Sequence, residues 1–196
     1  IVGNVNPAQA NAELCNLIAS TLLSCGLKKD QFVINISNRK IVQGLIEDLK
    51  ISEDKKIKVM RAIDKLDKPG FGLRGVEDLL KKERVDVSGA VTKGADLTDD
   101  EASQIINFLK VKDLKELKDN LKNPLSQEGI KELENLLEVA SYGDYLDQIK
   151  TNFTIVRGLA YYDGFCVETN LNFKATNNKG KEVDIGSICS GGQYNK

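Results

Sequence analysis

The sequence predicts an α+β fold in which a helical middle zone interrupts a frame of helices and strands. Three changes of pattern support this prediction. Residues 1–50 are typical of a helix, a strand and a second helix, whereas residues 51–126 carry dense, balanced charge and apolar positions at helical spacing. Residues 127–196 begin with one more helix pattern and then alternate with the period of a β-strand. A chain of 196 residues is long enough to bury a real core.

The first zone, residues 1–50, is predicted to start with a helix between Pro7 and Gly26. Proline favours the first turn of a helix, and glycine favours the position just after its end. Alternating apolar residues over 32–36 then predict a strand. Asn38 is expected to cap a second helix that follows this strand directly.

The middle zone, residues 51–126, is predicted to be an all-helical insertion. Ser52 is expected to cap a helix that the Lys-Pro-Gly run at 68–70 ends. Thr98 and Glu101 have the spacing of a capping box, and Pro124 is expected to end the last helix of the zone. No strand is predicted here.

The third zone, residues 127–196, is predicted to be an antiparallel sheet segment behind one helix that Ser126 caps. Alternating residues predict strands over 153–155 and 165–173. The polar run at 175–181 is typical of a hairpin turn, with a return strand starting at Val183.

Composition excludes several classes of function. The chain contains no histidine, so it has neither a Ser-His-Asp or Cys-His catalytic unit nor a His-ligated metal site. Its net charge of −1 gives no general attraction to nucleic acid or to an anionic membrane. No apolar run is long enough to span a bilayer, and residues 1–10 lack the features of a signal peptide. Four cysteines without metal-binding spacing are expected to be reduced and mostly buried, as in a cytosolic protein.

One segment of the third zone carries residues suited to anion binding. Arg157 has a planar fork that grips phosphate or carboxylate, and Gly158 beside it lets a ligand approach the backbone. Tyr161 and Tyr162 place one ring on each side of the chain. From these residues alone, a bulged turn with surface tyrosines is an equally good interpretation.

A second segment, SGGQYN at 190–195, has paired glycines that suit a close approach of ligand to backbone. Neither a P-loop nor a GxGxxG run accompanies it, so the common nucleotide-binding motifs are absent. Alone, this segment is a weak signal.

Together the two segments resemble histidyl-tRNA synthetases. The run RGLAYYDG at 157–164 is similar to that family's RGL(D/E)YYTG motif, and SGGQYN is similar to its GGRYD. The runs IVG at 1–3 and INISNRK at 34–40 also fit. The likeness covers about 1–50 and 127–196, and the middle zone takes the place of the family's insertion domain.

The resemblance implies part of a class II synthetase-like catalytic domain. Arg157 would lie over the α-phosphate of ATP and the carboxylate of the amino acid, as the catalytic residue. Tyr161 and Tyr162 would line the pocket for the histidine side chain, and Gly191 and Gly192 would lie in the strand beneath it.

The activity that the resemblance implies is that of a histidine–tRNA ligase. Such an enzyme activates L-histidine with ATP, supplied as its Mg²⁺ complex, and transfers the amino acid to tRNA(His). A cytoplasmic homodimer without membrane association is implied, with no protein-bound metal in this part of the chain. Because Ile1 is not a Met and several family motifs are missing, we expect a fragment that alone cannot form histidyl-adenylate.

Two alternatives accompany this interpretation. Ala160, Gln193 and Asn195 stand where the family usually has an acid, Arg and Asp, and these departures slightly favour the regulatory subunit of ATP phosphoribosyltransferase. That subunit shares the fold without aminoacylating. The other alternative is a tRNA- or protein-interaction module in the middle zone. Its candidate tRNA contacts are Lys55, Lys56, Lys58, Arg61, Lys81, Lys82 and Arg84.

Overall fold

The computed structural model describes residues 5–68, 70–85, 89, 91–156, 162–183 and 185–194. Within them the α+β prediction is confirmed. The helices are α1 (Pro7–Ser24), α2 (Arg39–Asp48), α3 (Glu53–Ile63), α4 (Gly72–Lys81), α5 (Asp99–Lys110), α6 (Leu114–Asn120) and α7 (Pro124–Ala140). The strands are β1 (Phe32–Asn38), β2 (Arg84–Val85), β3 (Val91–Thr92), β4 (Ile149–Thr151), β5 (Tyr162–Leu171), β6 (Ala175–Thr176), β7 (Glu182–Val183) and β8 (Ser187–Tyr194).

Among the described residues, four strands form the main sheet, in the order β4-β1-β5-β8. β5 runs antiparallel to both β1 and β8, as predicted, but β4 runs parallel to β1. The sheet is therefore mixed. A parallel neighbour needs a long crossover connection, and the helices between β1 and β4 supply one.

The two faces of the sheet differ in polarity. Phe32, Ile34 and Ile36 point from β1 into the core and are almost completely buried, and helices α1, α2 and α7 pack together on this side. Asn35 lies on the opposite face, paired in register with Glu168 of β5. Because side chains alternate along a strand, one face meets the helices and the other is polar.

Local sequence signals place three of the helix ends correctly. Gly26 follows α1 in the left-handed region, with a φ of 93°. The Asn38 side chain accepts a hydrogen bond of 3.1 Å from the backbone N–H of Lys40. Thr98 and Glu101 form the predicted capping box, each side chain accepting from the other's backbone N–H.

The start of α7 differs from the prediction. Pro124 is the first residue of this helix rather than the end of the preceding one, and Asn123 is the cap, accepting from Leu125 N–H at 2.9 Å. Proline suits the first helical position because its missing N–H has no partner there anyway. The side chain of Ser126 does not cap the helix. It is buried and donates to the carbonyl of Ile41, 2.8 Å away, where α7 packs on α2.

One predicted strand of the third zone is also wrong. Residues 153–155 form a turn, because the Asn152 side chain accepts from both the N–H and the hydroxyl of Thr154. The return strand of the main sheet is β8 and starts at Ser187. The predicted hairpin is present, because Val183 pairs with Ala175 across the turn at 177–181, but it forms a separate small sheet.

The middle zone is mostly helical, but the prediction that it contains no strand is wrong. β2 and β3 pair antiparallel in a short hairpin, and strands of two residues are too short to show alternation in the sequence. α3 ends at Ile63, five residues before the predicted stop at 68–70, and Ser52 precedes it without a side-chain capping bond. No helix among the described residues combines the length and apolarity needed to cross a membrane.

Candidate functional site on the polar face of the sheet

A chain of amide and carboxylate groups crosses the polar face of the sheet. The Asn35 amide donates to Asn170 Oδ1 at 2.9 Å, and the Asn170 amide donates to Glu168 Oε1 at 3.5 Å. These residues form one wall of a cavity of about 340 Å³, which the loop at 152–155, residues 64–68 and Ser187 complete. The lining suits a polar ligand that exchanges several hydrogen bonds.

The tyrosine of the first motif lies directly on a glycine of the second. A Cβ built on Gly192 would lie 2.7 Å from Cγ of Tyr162, so the ring occupies the space that any side chain at 192 would need. The Tyr194 ring meets Tyr162 edge-on, with centroids 5.3 Å apart and planes at 69°. The structure therefore brings Tyr162 and Gly192, two residues expected at the site, into direct contact.

A bulge shapes this end of β5. Tyr162 pairs with Tyr194, but the next pair is Cys166 with Gly192, so β5 contains two more residues than β8 over this stretch. Gly164 lies inside the bulge with a φ of 99°. Bulges re-aim nearby side chains and are common beside functional sites.

The two neighbouring glycines occupy opposite faces of β8. Gly192 is opposite Cys166 and belongs to the polar face, whereas Gly191 is opposite Val167, which belongs to the core face. A Cβ on Gly191 would lie 3.7 Å from Cγ1 of Val167, an ordinary contact. Of these two glycines, only Gly192 lies where a side chain would overlap a neighbour.

Residues at the junction of β1 with α2 contact both the start of β5 and helix α7. The buried Arg39 donates from Nη1 to the carbonyl of Tyr162 at 2.8 Å, and Asn38 donates to Glu132 of α7 at 2.6 Å. The ammonium of Lys40 contacts Glu128 at 2.8 Å and Glu132 at 2.5 Å. Partial burial lowers the pKa of Lys40, but its hydrogen bonds and ion pairs with these glutamates outweigh that effect, so the pKa is raised.

The cysteines give no sign of a nucleophile at the site. All four are free thiols: Cys15 and Cys166 are buried, Cys189 is half-buried and Cys25 is exposed. Burial raises the pKa of Cys166, which lies on the polar face, to about 12, and the positive charge of Arg39 lowers it only in part. Burial likewise raises the pKa of Cys15 to about 12. Both thiols are therefore protonated at neutral pH.

Two of the expected site residues, Arg157 and Tyr161, lie outside the described residues, as do Ala160 and Asn195. The structure therefore describes Tyr162, Gly191 and Gly192 of the predicted histidine pocket. Among the described residues, no group of three or more Cys, Asp or Glu side chains could hold a metal ion.

Most of the predicted tRNA-contacting cations in the middle zone have partners within the chain. Lys81 bridges Glu77 and Asp99 at 2.8 Å each, and hydrogen bonds to Asp99 and Glu77 raise its pKa. Arg84 stacks over the ring of Phe71, 4.4 Å from the centroid. These cations already interact with neighbouring side chains.

The remaining candidates divide into paired and exposed groups. Lys55 donates to the carbonyl of Asp96 at 2.6 Å, while Lys58 lies 3.8 Å from the carboxylate of the same residue. Lys56 contacts its helix neighbour Glu53 at 3.3 Å. Within the described part of the chain, Arg61 and Lys82 are exposed and form no ion pair. The ion pairs that the candidate cations form are Lys56 with Glu53, Lys58 with Asp96, Lys81 with Glu77 and Asp99, and Arg84 with Asp78.

Arg61 and Lys58 line a second cavity, of about 380 Å³, together with Lys93. Thr92 and apolar residues of α3, α4 and β3 complete its wall. A cavity with three cations and no acidic side chain in its lining suits a phosphate group.

The sequence interpretation missed Asn35, Asn170 and Arg39 as site residues. A signal for the two asparagines was present: Asn35 and Ser37 occupy alternate positions of β1, as Glu168 and Asn170 do in β5. Polar residues at alternate positions of two strands indicate a shared polar face, but only once the pairing of the strands is known.

Comparison with known proteins identifies the relatives of the chain. The model of the family described as histidyl-tRNA synthetase matches residues 1–196. A histidine–tRNA ligase from Pelagibacter ubique is 93% identical over 196 residues, which are 100% of this chain and 42% of the relative. A histidine–tRNA ligase from Bartonella bacilliformis is 40% identical over 205 residues, covering 99% of this chain and 41% of the relative.

Solved structures agree with this result. The crystal structure of histidyl-tRNA synthetase from Nostoc sp. PCC 7120 matches with a TM-score of 0.73 at 27% identity, over 95% of this chain and 40% of that one. An ATP phosphoribosyltransferase regulatory subunit/histidyl-tRNA synthetase from Bacillus halodurans C has a TM-score of 0.71 at 20% identity, over 95% and 43% of the two chains. The second likeness shows a shared fold alone. The chain spans less than half the length of these relatives.

The contact between Tyr162 and Gly192 predicts unequal effects for two similar substitutions. Gly192→Ala is expected to destabilise the chain by about 1–3 kcal/mol, because the added methyl group overlaps the Tyr162 ring. Gly191→Ala is the matched control and should change the free energy of unfolding by less than about 0.5 kcal/mol. Urea unfolding curves measure both values. Equal effects of the two substitutions would show that the ring does not cover Gly192.

Proposed function

Because the chain belongs to the histidyl-tRNA synthetase family, we propose that it forms part of the catalytic domain of a histidine–tRNA ligase. The observation that carries this proposal is the polar sheet face, where Tyr162 of the first motif lies on Gly192 of the second. The identity of 93% to a histidine–tRNA ligase supports the same activity for the whole protein.

The proposed reaction has two steps. The carboxylate of L-histidine attacks the α-phosphorus of ATP in line, the bond to the β-phosphate oxygen breaks, and pyrophosphate leaves with that electron pair. A terminal ribose hydroxyl of tRNA(His) then attacks the carbonyl carbon of histidyl-adenylate. AMP leaves, and the hydroxyl loses its proton. Both steps build negative charge on phosphate or carbonyl oxygens, so fixed positive charge accelerates them.

Each site residue has a proposed role in this chemistry. Arg157 binds the α-phosphate and the histidine carboxylate through its planar fork, and needs no proton transfer to do so. Tyr161 and Tyr162 line the pocket for the imidazole, and Gly192 leaves room for the Tyr162 ring. Gly191 is adjacent to this contact in β8, on its other face. None of these roles requires a histidine in the enzyme.

ATP is proposed to enter with its own Mg²⁺. The bound metal would neutralise charge on the phosphates and orient them. Arg157 is the group of this chain that we assign to the α-phosphate, because its planar fork suits phosphate oxygens.

The chain is proposed to divide into a catalytic frame, residues 1–50 and 127–196, and an insertion, residues 51–126. In support, α1, α2 and α7 contact one another or the main sheet, and the four described strands of that sheet come from outside the middle zone. α3, α4 and α5 contact each other in sequence. The whole protein is proposed to be a cytoplasmic homodimer.

The insertion is proposed to contact tRNA(His) through its cations. Among the candidates, Arg61 and Lys82 are best placed, because both are exposed and neither has an ion pair within the described residues. Lys58 also lines the basic cavity with Arg61 and is only loosely paired with Asp96. Cations already held by short ion pairs, such as Lys81, would have to exchange a partner in order to bind phosphate.

The proposed activity predicts a specific exchange reaction. The full-length protein should catalyse histidine-dependent exchange of pyrophosphate into ATP, and Arg157→Ala should lower kcat/KM by about 10²–10³-fold, because a group that stabilises developing charge is lost. Arg74→Ala, an exposed substitution in α4, is the control and should leave the rate unchanged. Full-length protein without histidine-dependent exchange would contradict the proposal. The isolated 196-residue chain should be inactive, and exchange by it would refute that expectation.

The proposed tRNA contact predicts a change in salt dependence. Replacing Arg61 and Lys82 together by Gln in the full-length protein should weaken tRNA(His) binding several-fold at low salt. It should also reduce the slope of log K against log salt by about one for each lost phosphate contact. Lys174→Gln removes one charge just before the β6–β7 hairpin, outside the insertion, and serves as the control. Unchanged affinity and slope in the double variant, or in a protein lacking residues 51–126, would exclude the contact.

A further inference from the structure

A buried arginine connects the first half of the chain to the motif of the second half. Arg39 is the first residue of α2 and is only 5% exposed. Its Nη1 donates to the backbone carbonyl of Tyr162 at 2.8 Å. Burying a guanidinium costs free energy unless it makes good hydrogen bonds. The burial of Arg39 therefore indicates that its hydrogen bonds have a structural or functional role.

The contact lies where β5 is irregular. Regular pairing of β5 with β8 is interrupted between Tyr162 and Cys166, and Gly164 within this stretch has a positive φ. A bulged strand lacks part of the regular ladder that would otherwise fix its course. The hydrogen bond from Arg39 reaches the first residue of β5, at one end of this irregular stretch.

The residues on either side of Arg39 are held by contacts with α7. Asn38 before it caps α2 and donates to Glu132, and Lys40 after it pairs with Glu128 and Glu132. Both glutamates belong to α7, so three consecutive residues connect β1, α7 and β5. The positive charge of Arg39 also acts on the thiol of Cys166, the residue opposite Gly192.

The hydrogen bond from Arg39 matters for the site because Tyr162 belongs to the first motif. Tyr162 bonds directly to Tyr161, the last residue of the run from Arg157 to Tyr161, and its own ring covers Gly192. A displacement of the Tyr162 backbone would therefore move the ring that covers Gly192.

We propose that Arg39 is a positioning residue for histidine binding, which holds the Tyr162 carbonyl and thereby fixes the Tyr162 ring of the amino-acid pocket. This role rests on the proposed function. It assigns to α2, an element remote in sequence from the motif, part of the specificity of the site.

The test compares substrate constants of full-length variants in histidine-dependent pyrophosphate exchange. Arg39→Gln removes the charge and the fork, while Arg39→Lys keeps the charge with a single ammonium. The histidine KM is expected to rise about tenfold or more in Arg39→Gln and less in Arg39→Lys, while the ATP KM changes by less than about twofold. Arg74→Gln is the matched control, since Arg74 is exposed in α4.

A purely structural role would give another result. Partial unfolding lowers the active fraction, so the apparent kcat falls at a constant histidine KM and the thermal midpoint drops. A wild-type histidine KM in both folded variants overturns the proposal. Failure of both variants to fold overturns it too, because Arg39 would then support the fold as a whole. If wild-type protein shows no histidine-dependent exchange, the proposed function fails. If wild type is active and the histidine KM values are equal, the role of Arg39 alone fails.

Discussion

The pairing of β1 with β5 is the constraint on which the rest of the structure depends. It aligns seven residues of the first zone with seven of the third, from Phe32 with Leu171 to Asn38 with Phe165. Closing the long intervening segment costs entropy, and the buried face of both strands compensates for it. A slip by one residue would turn Asn35 toward the core and Ile34 toward the cavity, so burial fixes the register.

This register gives the two faces of the sheet different roles. The apolar face carries α1, α2 and α7, while the other face presents amides, a carboxylate and the pair of Tyr162 with Gly192. The adenylate-forming step that we propose there needs no histidine, because it moves no proton and builds charge that Arg157 is proposed to stabilise. The absence of histidine from the chain, which excludes several mechanisms, is compatible with this one.

Signals that act within a few residues were readable from the sequence, and signals that depend on pairing were not. Gly26, Asn38 and Thr98 mark helix ends because their own backbone or side chain satisfies the neighbouring chain. The prediction that Pro124 ends a helix is wrong, because proline is compatible with the first turn of a helix as well as with a helix end, and here it begins α7. β4 is too short to alternate, and the cavity around Asn35 and Asn170 exists only through long-range register. The motifs at 157–164 and 190–195 indicated the family, yet not which of Gly191 and Gly192 lies on the polar face.

The central claim is that histidine binds on the polar face of this sheet, against Tyr162. The most direct test is a crystal structure of the full-length protein with L-histidine and a non-hydrolysable ATP analogue. We expect the imidazole beside the Tyr162 ring over Gly192, with the α-phosphate within hydrogen-bonding distance of the Arg157 guanidinium. Histidine bound on the face covered by α1, α2 and α7, or away from both motifs, would contradict the account.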